Sequence, residues 1–314
     1  MTDRLRVVFF GTPEFAAPSL AAMLDAGIEV PLAVTQPDRP VGRHAEPRPS
    51  AVAALAGARG VAVEKPESVR GNAAFLERLR AERPDALAVV AYGRILPRQL
   101  LDVPRLAPVN VHASLLPRHR GASPIQAAIL AGDAETGVAT MRMAEELDAG
   151  PVYLERRVPI GARETAGELS ARLAPLGGEL LVETLRRLAA GGLEPRPQRG
   201  EPTYCRTIRR EDARADWTRD AAALDRALRA YTPWPGLFTT LGGERIKILE
   251  AEPHESPGGA AHPPGTLYVD SGALLAAAGV GTALRILRLQ RAGRGAVSGE
   301  QFAAGARLPA RLGE

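Results

Sequence analysis

The 314-residue chain has a single cysteine, Cys205. One thiol cannot close an intrachain disulfide or supply a cysteine metal cluster, and a reducing cytosol fits that usage best. Only five histidines occur, so no ligand cluster is in view and no metal is expected. Lysine is nearly missing, at Lys65 and Lys247 alone, which leaves almost every cationic contact to arginine. Long apolar runs are missing too. The first, Val7–Phe10, stops at Gly11, far short of the ~20 residues a membrane span needs. No early stretch reads as a targeting signal.

What is present is an ordinary globular composition, 45% hydrophobic and 24% charged. The length favours two domains. The formal charge is +4, and most of it lies late in the chain: from Arg206 onward 15 Arg and Lys face 12 Asp and Glu, whereas before it 25 face 24. Such a balance permits a polyanionic partner without requiring one.

The first 190 or so residues alternate two patterns. Leu5–Phe10, Val30–Thr35, Leu87–Ala91, Val109–His112 and Val138–Met143 are short apolar runs, as strands buried on both faces should be. Between them Phe15–Ala26, Ala51–Ala58, Asn72–Glu82 and Pro124–Leu130 have helical spacing, and Leu169–Ala190 carries a longer leucine stripe. The alternation predicts an α/β domain with a mostly parallel, Rossmann-like sheet, in which ligands bind beyond the carboxyl ends of the strands. Residues 191–202, GGLEPRPQRGEP, are half Gly and Pro and read as a linker. Past it, a helix at Ala221–Ala230 precedes about five short strand candidates separated by turns, which predict a small β-barrel of the OB type.

Asn110 and His112 stand at the end of one predicted strand, two residues apart and hence on one face. An amide N–H can stabilise an oxyanion, and a neutral imidazole can accept or relay a proton. By themselves they would equally suit a strand-end histidine and a turn cap. Ser114-Leu115-Leu116-Pro117 follows as a rigid apolar turn, a shelf suited to a flat heterocycle, and Arg118 and Arg120 could hold an acidic tail. Asp148 lies 36 residues after His112. Neighbouring parallel strands would bring its carboxylate to the imidazole, favouring the charged ring and fixing its orientation.

Together these residues resemble the methionyl-tRNA formyltransferases, within the 10-formyltetrahydrofolate-dependent formyltransferases. The likeness runs through VVFFGTPEFAAPSL, TQPDRPVGR, VVAYGRILP, NVHASLLPRHRGASPIQAAILAGDAETGV, MRMAEELDAGP and YTPWPGL, in order and over essentially the whole chain. It implies a catalytic domain over 1–190, a linker over 191–206 and an OB-like tRNA-binding domain over 207–314. It implies transfer of the formyl group of 10-formyltetrahydrofolate to the free α-amino group of methionyl-initiator tRNA. A cytoplasmic monomer is expected, from the cysteine usage and because nothing marks an extra apolar face. Asn110, His112 and Asp148 would be the catalytic set. Ser114, Leu115, Leu116 and Pro117 would line the folate site, and the Val89–Tyr92 backbone would border the pterin.

The proline-rich loop Thr35–Ser50 can be neither a helix nor a central strand. The resemblance implies that it enters the tRNA acceptor arm with Arg43; with this loop less basic than in many relatives, Arg206, Arg209, Arg210 and the C-terminal domain are expected to carry more of the tRNA affinity. His44-Ala45-Glu46 stands where relatives carry a more basic stretch, and His119 where an aromatic is frequent. Gly11-Thr12-Pro13 lacks both nucleotide-loop patterns, so no nucleotide cofactor is expected. Trp217, Trp234 and Tyr231 read as core or barrel–linker packing, not base-stacking platforms, and Cys205 as incidental. Two other functions keep part of this pattern. A formyltransferase acting on a small amine, such as an amino-sugar nucleotide or glycinamide ribonucleotide, would ignore charged tRNA. A non-catalytic RNA-binding protein would tolerate Asp148→Asn.

Overall fold

The computed structural model describes residues 4–41, 46–254 and 262–313. The chain forms two compact units: Met1–Pro124 with Glu135–Pro159 and Ser170–Arg206, and Ile125–Ala134 with Ile160–Leu169 and Thr207–Glu314.

The first unit is built on strands β1 (Val7–Gly11), β2 (Leu32–Val34), β3 (Arg39–Val41), β4 (Glu46–Arg48), β5 (Ala62–Glu64) and β6 (Ala86–Val90). It continues with β7 (Ala107–His112), β8 (Arg120–Gly121), β9 (Glu135–Arg142), β10 (Val152–Pro159) and β11 (Tyr204–Cys205). Seven of these form one sheet in the order β10-β9-β7-β6-β1-β2-β5. From β7 to β5 all neighbours are parallel, with Phe9 beside Ala33 and Ala88, and Ala88 beside Val109. Alternate residues of the apolar runs feed two cores. Val7, Phe9, Val109 and Val111 pack on one face. Val8, Phe10, Leu87 and Val89 pack on the other. A side chain of this size stabilises the fold by about 1.5–3 kcal/mol when fully buried. That two-sided burial is why the strands read as continuous apolar runs.

The helices of this unit are α1 (Ala17–Asp25), α2 (Ala51–Ala58), α3 (Ala73–Ala81), α4 (Arg98–Leu101) and all but the first turn of α6 (Ala166–Ala189), whereas α5 (Pro124–Ala131) falls almost wholly in the second unit. Leu20 and Met23 of α1 and Leu181 and Leu185 of α6 cover the first face; Phe75, Leu79 and Leu100 cover the second. Ser50 and Asn72 start α2 and α3 by accepting the Ala53 and Phe75 N–H groups at 3.1 and 3.0 Å, caps worth about 1 kcal/mol each.

The sheet differs from the expected one at its β7 side. β9 runs antiparallel to β7, and β10 antiparallel to β9. Asp148 therefore arrives on a hairpin loop and not from a parallel neighbour. β10 escapes sequence detection because Glu155, Arg156 and Arg157 give it the look of a polar connection. β3 and β4 pair as a small hairpin outside the main sheet, in keeping with a segment that could be no central strand. Arg43 lies outside the described residues.

In the second unit, α7 (Ala221–Ala230) precedes β12 (Phe238–Leu241), β13 (Glu244–His254), β14 (Thr266–Asp270), β15 (Ala273–Ala277) and β16 (Ala283–Arg291). β17 (Ala296–Ser298), α8 (Gly299–Gly305) and β18 (Ala310–Arg311) follow, and the sequence patterns missed all three. The antiparallel sheet has the order β12-β13-β16-β15-β14-β18. A Leu241–Leu312 bridge joins its two ends, giving a nearly closed barrel. Ile246, Ile248, Leu274, Ile286 and Leu289 fill it with Trp217 and Tyr231. Trp217 donates its indole N–H to Thr239 Oγ1 at 3.0 Å. Trp234 departs from the expected core role: it is 53% exposed.

Candidate active site

β7 brings the first two site residues together through its pleat. Val109 and Val111 enter one core, so Asn110 and His112 share the opposite face, and both are buried. His112 Nε2 lies 2.9 Å from the carbonyl oxygen of His119. A carbonyl only accepts, so Nε2 carries the hydrogen. The neutral ring then has its lone pair on Nδ1, and Nδ1 faces Asp148 Oδ2 at 3.7 Å. That is longer than a hydrogen bond, and short enough for a charge pair or one bridging water.

Asp148 is fixed from behind. Its Oδ2 accepts the Gly121 N–H at 2.8 Å. Its backbone has φ 49°, a left-handed conformation seldom adopted by a residue other than glycine and common at functional sites. The side chains of His112 and Asp148 are 7% and 14% exposed, so their mutual field is screened less than at the surface.

The turn after β7 is held by its own polar groups. Ser114, fully buried, donates its hydroxyl to Arg118 O at 2.6 Å. The Leu116–Pro117 peptide is cis. Leu116 packs with Ala139 and Met141 of β9. Leu115 lies over Gly137, where an added Cβ would come within 2.6 Å of Leu115 Cδ2. The expected apolar shelf is thus seated against the sheet. Exposed aliphatic side chains occur at Ile95, on the loop after β6, and at Leu147, next to Asp148 in sequence, at 72% and 55% exposure. Of the Val89–Tyr92 segment, the Tyr92 carbonyl accepts from Thr12 Oγ1 and Gln36 Nε2 at 3.3 and 2.8 Å.

The residues at the back of the site were missed by sequence reasoning. β11 pairs parallel with β8, Tyr204 beside Arg120 and Cys205 beside Gly121. Arg120 is buried, and its guanidinium donates to Gln198 Oε1 at 3.1 and 2.7 Å and to the Tyr204 hydroxyl at 3.3 Å. It is therefore taken up inside the site's wall and does not form the anion clamp proposed for it. Cys205 Sγ donates to the His119 and Arg120 carbonyls at 3.5 and 3.3 Å. Burial, with a smaller push from the Asp148 charge, raises its thiol pKa above the usual value, against a lowering hydrogen bond with the Ser123 backbone. Nothing in the Gly/Pro-rich composition of 191–202 marks Gln198 as part of this wall.

Arg206, Arg209 and Arg210 are all exposed. Arg210 lines a groove of about 410 Å³ with Trp234, Arg245, Lys247 and Arg291. Arg245 lies 3.6 Å over the Phe238 ring, and Arg291 pairs with Glu244. Among the described residues no cluster of His, Cys, Asp and Glu is arranged to hold a metal, and no helix is long and apolar enough to cross a membrane.

A mostly parallel sheet carrying a buried amide and imidazole beside a partly buried carboxylate, followed by a barrel, is matched by two family profiles. "Formyl transferase" covers residues 5–185, and "Formyl transferase, C-terminal domain" covers residues 207–307. Among solved structures, an N-formyltransferase from Helicobacter canadensis, in complex with folinic acid and dTDP-3-aminofucose, shares the fold at TM-score 0.66 and 16% identity, over 92% of this chain and 99% of that one. HypX from Aquifex aeolicus in complex with tetrahydrofolic acid gives TM-score 0.61 at 18% identity, over 96% of this chain and 47% of that one. The methionyl-tRNA formyltransferase of Aromatoleum aromaticum is 47% identical over 99% of this chain and 96% of its own length. That of Gluconobacter oxydans is 47% identical over 97% and 98%. The chain belongs to the methionyl-tRNA formyltransferase family of the formyl transferases.

Proposed function

We propose that the chain transfers the formyl group of 10-formyltetrahydrofolate to the α-amino group of methionine esterified to initiator tRNA. The observation that carries this reading is the 47% identity to methionyl-tRNA formyltransferases over both units. Asn110, His112 and Asp148 supply the matching chemistry.

Folate brings the activated formyl group. Ser114, Leu115, Leu116 and Pro117 form the apolar turn that would line the folate site, and Leu147, next to Asp148 in sequence, adds exposed apolar surface. Attack by the amine puts negative charge on the formyl oxygen, which the Asn110 amide N–H stabilises. The attacking amine must lose a proton, and Nδ1 of His112, whose other nitrogen donates to His119 O, is the free base. The 3.7 Å gap to Asp148 leaves room at Nδ1 for that proton, delivered directly or through one water. Asp148 then neutralises the imidazolium, which gives its proton to the folate nitrogen as the tetrahedral adduct collapses, the bond from the formyl carbon to that nitrogen breaks and tetrahydrofolate leaves. Oxyanion stabilisation and general acid–base help each contribute ~10²-fold or more.

The acceptor side of the proposal assigns tRNA contacts to Arg43, Arg206, Arg209 and Arg210, in a cytosolic monomer. The half-buried single thiol suits a reducing compartment. The test is formyl transfer to charged initiator and elongator tRNA, with the whole chain and with Arg43→Ala. Rapid formylation of the initiator alone, slowed by Arg43→Ala, supports the proposal. Equal rates on both tRNAs overturn its acceptor assignment, and transfer to a small amine with none to charged tRNA overturns it altogether.

A further inference from the structure

The Asp148 loop is held by a side chain from the segment that composition marks as a linker. Gln198 Nε2 donates to two carbonyls of that loop, Asp148 O and Gly150 O, each at 2.7 Å. Its Oε1 accepts from Arg120 Nε and Nη2 at 3.1 and 2.7 Å. Both N–H donors and both oxygen lone pairs of the carboxamide are therefore used, and its orientation is unambiguous. Arg120 is held in turn by the Tyr204 hydroxyl and lies over the Tyr204 ring, 5.9 Å from its centroid. The segment before Gln198 is pinned as well: Arg196 and Val152 exchange both backbone hydrogen bonds, at 2.7 and 2.8 Å.

We propose that Gln198, oriented by Arg120, is the positioning residue that keeps Asp148 in its left-handed conformation with its carboxylate turned toward His112. A left-handed aspartate relaxes readily to an ordinary conformation unless its peptide groups are held. The two carbonyls on Gln198, together with the Gly121 N–H on the carboxylate, hold it at three points. Gln198 touches no reacting atom in the proposed reaction; it acts through Asp148. This inference rests on the role given to Asp148 above.

The experiment is a double-mutant cycle in the full-length enzyme, measured as formyl transfer to charged initiator tRNA and accompanied by thermal unfolding. Gln198→Met keeps the length of the side chain and removes all four hydrogen bonds. It should lower kcat by about 10–100-fold, a loss typical of a displaced catalytic group, with the KM for folate and for tRNA unchanged. Gln198→Glu keeps the acceptors for Arg120 and turns oxygen toward the two carbonyls, so it should be no better. In an Asp148→Asn background, Gln198→Met should cost nothing further, because the group it positions is already disabled. An equal loss of kcat in both backgrounds, or a rise in KM with kcat intact, would overturn the positioning role. If Asp148→Asn itself keeps full turnover, the failure lies with the proposed reaction.

Discussion

His112 is held in one tautomer by a single backbone contact, and that contact decides which nitrogen can act as a base. Asn110→Ala, His112→Ala and Asp148→Ala should each reduce formyl transfer by ~10²-fold or more. Their unfolding temperatures should stay near that of the parent protein, because none of the three side chains belongs to an apolar core; transfer assays and thermal melts on the same preparations check both halves. Cys205 makes the opposite kind of prediction. Its raised thiol pKa, caused first by burial, keeps the group protonated near neutral pH. Alkylation of the folded protein at pH 8 should therefore be much slower than of the unfolded chain, and Cys205→Ala should retain activity. At this scale Asn110 and His112 stand out in the sequence as polar residues two apart at a strand end, whereas Asp148, alone a loop aspartate, joins them only through the resemblance. Gln198 and Arg120 were not legible in their roles. Both are polar residues in loops, and what they do depends on carbonyls that only folding brings within reach.

The elements that carry the site meet at Gly121. Its φ is 116°, and a Cβ there would lie 2.1 Å from the Cys205 carbonyl oxygen. Gly121→Ala should part β8 from β11 and withdraw the N–H that Asp148 accepts. A stability loss on the order of 2–3 kcal/mol is expected, together with a fall in kcat, measurable by chemical denaturation and single-turnover assays. Elements buried on both faces or showing strict helical spacing were readable: β1, β6 and β7 follow from their apolar runs, and α2 and α7 coincide with the predicted spans. β10 and the β8–β11 pair were not, since a charged edge strand and a two-residue pairing carry almost no periodic signal. The direction of β9 was also hidden. Strand–helix alternation suggests a parallel crossover, whereas α5 is followed by a turn that sends the chain back antiparallel.

For the whole molecule, charge is the readable quantity. The late positive excess appears in part as the groove of Arg210, Arg245, Lys247 and Arg291 on the second unit. If that groove meets tRNA phosphates, Lys247→Ala should weaken binding evenly across tRNAs and lower the slope of log affinity against log salt by about 1. Filter binding over a salt series measures it. An unchanged slope would place the contact elsewhere. The first sheet is also guarded at its borders, with charged β10 at one side and the three-residue β5 at the other, features that discourage pairing with further strands. The hydrogen bond from Gln198 to Asp148 spans 50 residues of chain. During synthesis the loop bearing the carboxylate thus leaves the ribosome well ahead of the side chain that secures it. A nascent polypeptide halted before Gln198 could build its central strands and still lack a settled catalytic carboxylate, so full competence would wait until the tail of the first unit folds back over its own earlier turn.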